Sequence, residues 1–487
     1  ERSMLDPALA AELRRILGDD GVISDGAALR TYESDALTAH RQPPALVTLP
    51  RTTEQVQAIV RLCAREGIPF VPRGSGTGLS GGALPVAGGV LIALARMREI
   101  LSVDLANQRV VAQPGVINLW ITQRVAPDGY YYAPDPSSQQ VCSIGGNVAE
   151  NSGGAHCLKY GFTVNHVLGL KVVLPDGEVV EIGGPTLDPP GYDLTGVLVG
   201  SEGTLAIATE ITVRIVKRAE AVRTTLASFA HTDAAGEAVS GIIAAGIIPA
   251  AIEMMDALSI QAAEAAVHAG YPLDVGALLL VELDGPRAEV AAQQAQVDAI
   301  CRAAGALELR VAQSDEERAL FWRGRKAAFA AMGRISPDYI VQDGVIPRTA
   351  LPQVLRDIQA LSDRYGLRVA NVFHAGDGNL HPLVLYDRRN ADEEPRAEEL
   401  AGAIVELCVR HGGSITGEHG VGVDKSRYMG TMFSPADMAA HQLIRCALNP
   451  ANLCNPHKVY PTPRLCGEVP GKYAPHPLEA AGVAERF

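Results

Sequence analysis

The chain has 487 residues, 47% of them hydrophobic and 20% charged, a balance that can bury a large core and excludes a disordered chain. At roughly 150 residues per domain, this length predicts two or three structural units. The formal net charge of −13 argues against the basic face of a nucleic-acid binder or of a polybasic membrane surface, so an anionic ligand must be met by locally placed cations.

Residues 1–42 read as a helical start and a linker. Their charges (Glu1, Arg2, Asp6, Glu12, Arg14, Arg15) leave no apolar core for a secretory leader, so none is expected. A strand is predicted at 45–50, a helix at 52–66 with Val56, Ile59, Val60 and Cys63 on one face, and a strand at 68–72. The glycine-dense stretch 73–82 follows. Strands are predicted at 90–94 and 109–112 and a helix at 118–125, before a second Gly/Asn-rich stretch at 143–154. Further strands fall at 167–174, 179–182 and 204–216. After Lys217 the texture changes. Strands at 224–229, 250–255, 276–283 and 307–312 alternate with helices, notably 287–304 and 315–331, the pattern of an α+β unit with a mostly antiparallel sheet. Two more strands, 368–373 and 382–386, flank a turn. A helix is expected at 392–411, and the Pro-rich tail from 450 onward is expected to wrap back onto the body. The longest uncharged apolar stretch, 238–252, is broken by Gly241, Gly246 and Pro249 and falls short of the ~20 residues a bilayer requires, so a cytoplasmic protein without a membrane span is expected. None of the eight cysteines stands at Cys-x-x-Cys spacing, which disfavours a zinc ribbon or an iron–sulfur cluster and predicts small buried thiols in a reducing compartment.

The first glycine stretch contains Gly-x-Gly-x-x-Gly from Gly76 to Gly81. A Rossmann site requires a helix to open there, and residues 83–89, with Pro85, Gly88 and Gly89, cannot form one, so nicotinamide binding is rejected. Bare backbone N–H groups still make an anion nest suited to a pyrophosphate. The segments 134–138, 143–154 and 200–205 add further Gly, Ser and Asn, which points to one extended cofactor threaded through several loops. A second set of motifs lies far downstream. His374 and His381 enclose Ala-Gly-Asp-Gly-Asn-Leu, and Glu418-His419 sit between glycines. Two strand-like segments around a Gly-Asp-Gly turn place both histidines at one locus. Imidazoles with a carboxylate suit zinc, manganese or iron.

The glycine loops resemble the FAD-binding domain of the vanillyl-alcohol oxidase/p-cresol methylhydroxylase superfamily. The histidine motifs resemble its FAD-linked 2-hydroxy-acid dehydrogenases, with the narrowest likeness, over 338–348, 368–374 and 461–466, to the subunits that oxidise glycolate. The resemblance implies an α+β fold: a two-part FAD-binding domain over 1–217, a substrate or cap domain with the metal site over 218–415, and a C-terminal segment, 416–487, that returns to the FAD domain. It implies that FAD is held by Arg73, Gly74, Ser75, Gly76, Thr77, Gly78, Gly81, Pro134, Asp135, Ser143, Gly145, Gly146, Asn147, Gly153, Glu202, Gly203, Ile207 and Asn455. No His lies in 73–82, so FAD is expected to be non-covalent. By the same resemblance a divalent metal is held by His374, His381 and Glu418, His419 is the base, and Arg325, in Trp322-Arg323-Gly324-Arg325, clamps the substrate carboxylate. His457 stands where the family carries Gly in Asn-Pro-Gly-Lys. Apolar Phe329, Val341 and Leu383 stand where relatives of longer dicarboxylates carry polar groups, which implies a small monocarboxylate, glycolate or D-lactate. Electrons are expected to pass to a second flavin-type subunit and an iron–sulfur subunit. The alternatives are a D-2-hydroxyglutarate or D-lactate dehydrogenase acting alone, and an FAD-dependent transferase.

Overall fold

The computed structural model describes residues 7–186 and 191–461. The N-terminal part opens with the helix Pro7–Leu17 and then builds a four-stranded sheet in the order Val22–Ile23, Leu46–Thr48, Val90–Ala93, Phe70–Arg73. The strands Leu46–Thr48 and Phe70–Arg73 both run parallel to Val90–Ala93 between them. The helix Thr53–Glu66 joins them. It starts where the Thr52 side chain accepts the Gln55 N–H and stops at Gly67, whose φ of +64° is left-handed. Its expected face, Val56, Ile59, Val60 and Cys63, packs in one core with Phe70, Val90 and Ile92.

A second sheet is wholly antiparallel, in the order Ile100–Asp104, Arg109–Ala112, Ile207–Arg214, Val167–Val173, Val179–Gly183. The edge strand Ile100–Asp104 was not foreseen, because it is half-exposed and lacks a clean apolar alternation. The stretch 143–154 holds a second surprise, the helix Ile144–Glu150. Two glycines in seven residues disfavour a helix. Packing overrides propensity here: Ile144 and Val148 are buried, and a Cβ at Gly145 would sit 2.5 Å from Pro114 Cβ and 2.9 Å from its carbonyl oxygen.

The later part is an antiparallel sheet in the order Ala306–Val311, Ala221–Phe229, Ala277–Gly285, Ala251–Asp256, Val369–His374, Asn379–Leu380, Gly344–Val345. Pro382–Tyr386 pairs with both Val369–His374 and Asp338–Val341. Nearly every residue of Ala277–Gly285 is buried, because helices cover both faces. Leu279 and Val281 share a core with Val239, Val297, Val354 and Ile404, from helices Thr232–Ala244, Arg287–Ala303, Leu351–Tyr365 and Glu393–Arg410. Leu278 and Leu280 share the opposite core with Ile260 and Phe321, from helices Ala257–Val267 and Asp315–Ala331. The architecture is the expected α+β one.

The chain then returns to the first sheet. Phe70 N donates to Leu453 O at 2.9 Å and Asn455 N donates to Phe70 O at 2.8 Å. The Asn455 side chain donates to the carbonyls of Gly82 and Glu202. Residues 462–466, which carried part of the resemblance, lie outside the described residues, as do 1–6. Cys63, Cys142, Cys157, Cys301, Cys408 and Cys454 are free and buried as expected, whereas Cys446 is disulfide-bonded. No described helix is long and apolar enough to cross a membrane.

His457, where the resemblance places a glycine, has a backbone meaning. His457 is exposed with φ +64°, the left-handed region that costs a side-chain-bearing residue about 1–2 kcal/mol. Part of that gain returns as unfolded-state entropy when Gly is introduced. His457→Gly should therefore raise the unfolding free energy by up to about 1 kcal/mol, read as a higher denaturant midpoint at unchanged slope.

Candidate active site

A cavity of about 410 Å³ lies between the two parts of the chain. One wall is the loop Arg73, Gly74, Ser75, Gly76, Thr77 and Gly78. Arg73 folds beneath this loop and donates to Ser34 O at 2.7 Å, with Tyr32 under its guanidinium. A Cβ on Gly76, at φ +70°, would lie 2.3 Å from that guanidinium, so Gly is required where loop and arginine nest. A second wall is Ser143, Gly145, Gly146 and Asn147, and a third is Glu202, Gly203 and Ile207. Three chain-distant segments thus converge on one space. Gly81, Pro134, Asp135, Gly153 and Asn455 do not reach the cavity surface. Gly81 turns at φ +78° against Val423, Pro134 O accepts from Asn118, and Asn455 ties the returning chain to Gly82 and Glu202.

The far end of the cavity is walled by Phe329, Val341, His381, Glu418 and His419. Leu383, expected beside them, is wholly buried behind this wall. His374 ends one strand and pairs with Asn379 across a tight turn, so His381 comes back beside it with ring centroids 5.1 Å apart. Glu418 Oε1 lies 3.4 Å from His374 Nε2 and 3.3 Å from His381 Nε2, and one ligand atom from each of the three falls within 4.8 Å of the others. His419 stacks on His381 at 4.9 Å. Burial alone would neutralise Glu418, but His374 and His381 hold its carboxyl well below the usual range. Burial pulls His419 down to about 4, so its ring is neutral at pH 7 and can accept a proton.

Arg325 is buried on the helix Asp315–Ala331, and its Nη2 lies 2.5 Å from Glu253 Oε2. It does not line the cavity, whereas the next residue, Lys326, does. The Arg325 Nε has no hydrogen-bond partner among the described residues. Asp135 is taken up by charge pairing, with His156 Nδ1 at 3.0 Å in its own part and with Lys326 Nζ at 3.4 Å from the later part. His156 Nε2 in turn meets Glu282 at 3.2 Å, a carboxylate that also accepts from Arg318 and Trp322.

Residues 44–183 match the family described as FAD binding domain, and residues 218–459 match FAD linked oxidases, C-terminal domain. The chain is 53% identical over 456 residues to glycolate oxidase subunit GlcD of Escherichia coli (strain K12), covering 94% of this chain and 91% of that protein. The chain belongs to the FAD-linked oxidases. It is also 38% identical to glycolate oxidase subunit GlcD of Bacillus subtilis (strain 168), over 94% of this chain and 97% of that protein. A solved structure of p-cresol methylhydroxylase with substrate bound shares the fold at TM-score 0.79 and 16% identity, covering 93% of this chain and 96% of that one.

In this FAD-linked oxidase the glycine-walled cavity is where the family's cofactor fits, since its backbone is bare at Gly74, Gly76, Gly145 and Gly146. The histidine cluster fits a divalent ion. Both ring nitrogens of His381 and one oxygen of Glu418 are buried with no hydrogen-bond partner among the described residues, a cost of about 1–3 kcal/mol each unless a ligand answers them. Sequence reasoning missed Asp343 and Glu253. Asp343 accepts from the backbone N–H of Gly417, Glu418 and His419 and from Lys425 Nζ, and so shapes the loop that carries the cluster's carboxylate and His419. Glu253 is an acid inside an otherwise apolar stretch, Ala250 to Met255, and that charge was the available signal; Asp343, between Gln342 and Gly344, carries no such signal.

Two outcomes are expected. Gly76→Ala should displace Arg73 and lower the flavin bound per chain several-fold, read from visible absorbance. His156 is pulled down by burial, yet Asp135 and Glu282 outweigh this and push it up to about 10 from 6.5. Its stabilising charge is complete below pH 6.5 and is lost as pH rises towards 10. Melting temperature should therefore fall over that window in the wild type, and His156→Gln should flatten the fall.

Proposed function

We propose that this chain oxidises a small 2-hydroxy acid, glycolate before D-lactate, with FAD as the non-covalent acceptor. The observation that carries the reading is one cavity lined both by the glycine loops and by His381, Glu418 and His419, with His374 beside Glu418 behind the wall. The relatives named as glycolate oxidase subunits support the substrate class. When bound, FAD supplies the acceptor for the C2 hydride. His374, His381 and Glu418 would hold zinc, manganese or iron, which supplies a Lewis acid for the 2-hydroxyl.

The chain's own residues do the rest. Lys326, on the cavity wall, offers the substrate carboxylate a charge-assisted hydrogen bond, and Arg325, just behind the wall with an Nε that Glu253 leaves free, adds its charge. His419, neutral at pH 7, takes the hydroxyl proton on a ring nitrogen. Phe329 and Val341 line the cavity without a polar group for a second carboxylate, which disfavours longer dicarboxylates. The balance is a 2-oxo acid, a hydride delivered to the acceptor and a proton held on His419. Electrons then leave through a second flavin-type subunit and an iron–sulfur subunit, in a cytoplasmic assembly that meets the membrane through those partners.

The test is an anaerobic visible spectrum of the purified protein before and after glycolate, D-lactate and D-2-hydroxyglutarate. Bleaching is expected with the first two and is fastest with glycolate. No bleaching with any of them, even after metal and partner subunits are supplied, refutes the reading. His419→Ala should keep its flavin and lose bleaching by a factor of at least ~100.

A further inference from the structure

The strand Ala251–Asp256 is buried at every residue, and Glu253 carries a carboxylate into it. The sheet register makes Glu253 the direct cross-strand partner of His374, so the two side chains leave one face side by side. Glu253 Oε1 and Oε2 lie 2.8 and 3.0 Å from His374 Nδ1. An ionised carboxylate only accepts, so Nδ1 carries the hydrogen and donates it. The lone pair of His374 is thereby assigned to Nε2, the nitrogen 3.4 Å from Glu418. His381, the cluster's second ligating imidazole, has no hydrogen-bond partner on either nitrogen among the described residues. Arg325, with Nη2 at 2.5 Å, supplies the opposing charge that lets Glu253 stay buried and ionised.

We propose that Glu253 is a positioning residue of the metal centre: it fixes the tautomer and ring orientation of His374 so that Nε2 faces the ion. Its role rests on the reading of His374, His381 and Glu418 as metal ligands. A carboxylate behind a ligating imidazole raises that ligand's basicity and removes its rotational freedom before the ion arrives. The sheet enforces the arrangement, since sliding either strand by one residue would send the two side chains to opposite faces.

The test titrates zinc against a competing chelator dye, using FAD-loaded protein stripped of metal, in the absence of substrate. The wild type is expected to take up one ion per chain. Glu253→Gln, which keeps the shape and loses the charge, should bind zinc about 10–100-fold more weakly with unchanged FAD content. Glu253→Asp keeps the charge opposite Arg325 but withdraws it from Nδ1, and should also weaken zinc. It carries the test alone if an uncompensated Arg325 prevents Glu253→Gln from folding. A lower melting temperature with an unchanged zinc Kd in the folded variants would leave Glu253 purely structural and overturn the inference. A wild type that binds no zinc, or a His381→Ala variant that binds it undiminished, overturns the metal reading beneath it instead.

Discussion

Two buried carboxylates, reaching from opposite sides, hold the loop that carries Glu418 and His419. Asp343, from the later sheet, gathers the N–H groups of Gly417, Glu418 and His419, the Thr416 hydroxyl and Lys425. Glu202, from the N-terminal part, accepts from the N–H groups of Val421 and Gly422 at 2.6 and 2.7 Å. A buried carboxylate left without donors is costly, so each acid demands that the loop bring its backbone to it. Satisfying both at once leaves the loop little freedom. His419 is therefore delivered to the seam between a cofactor cavity and a histidine pair that belong to different parts of the chain.

The same seam explains how an acidic protein receives an acidic substrate. Its overall field repels anions, and Glu150, Glu202 and Glu418 all line the cavity. Attraction must therefore be local. Lys326 stands on the cavity wall and Arg325 just behind it, on one helix whose opposite neighbours are Glu253 and Asp135. Each cation is compensated by a carboxylate from another element. This keeps the helix docked and leaves the Arg325 Nε without a hydrogen-bond partner among the described residues.

Much of this architecture was readable from the chain. The helix Thr53–Glu66 announced itself by its apolar face, Val56, Ile59, Val60 and Cys63. The strands around it and the buried run Ala277–Gly285 were equally plain, because their periodicity is a local property. The glycine stretch at 73–78 and the His374–His381 turn were legible because few other residue types permit such backbone. The helix Ile144–Glu150 was not legible: its two glycines read as loop, and what makes them helical is the close approach of Pro114 from elsewhere. Ile100–Asp104 was missed because an exposed edge strand has no buried face to pattern.

The sequence by itself therefore determined which chemistry the chain carries: the bare-backbone loops, the imidazoles, and the carboxylate beside His419. Each of these signals is confined to a few neighbouring residues and needs no partner to be recognised. Only the tertiary structure decided which charges stand opposite which. Asp135, read as a cofactor contact, pairs with His156 and Lys326 instead, and Glu253 stands behind His374 with Arg325 behind both. All of those pairings but Asp135–His156 join residues more than seventy positions apart in sequence, through sheet register and helix docking. A pairing of that kind depends on the burial and geometry of both partners, neither of which is encoded in the residues next to them.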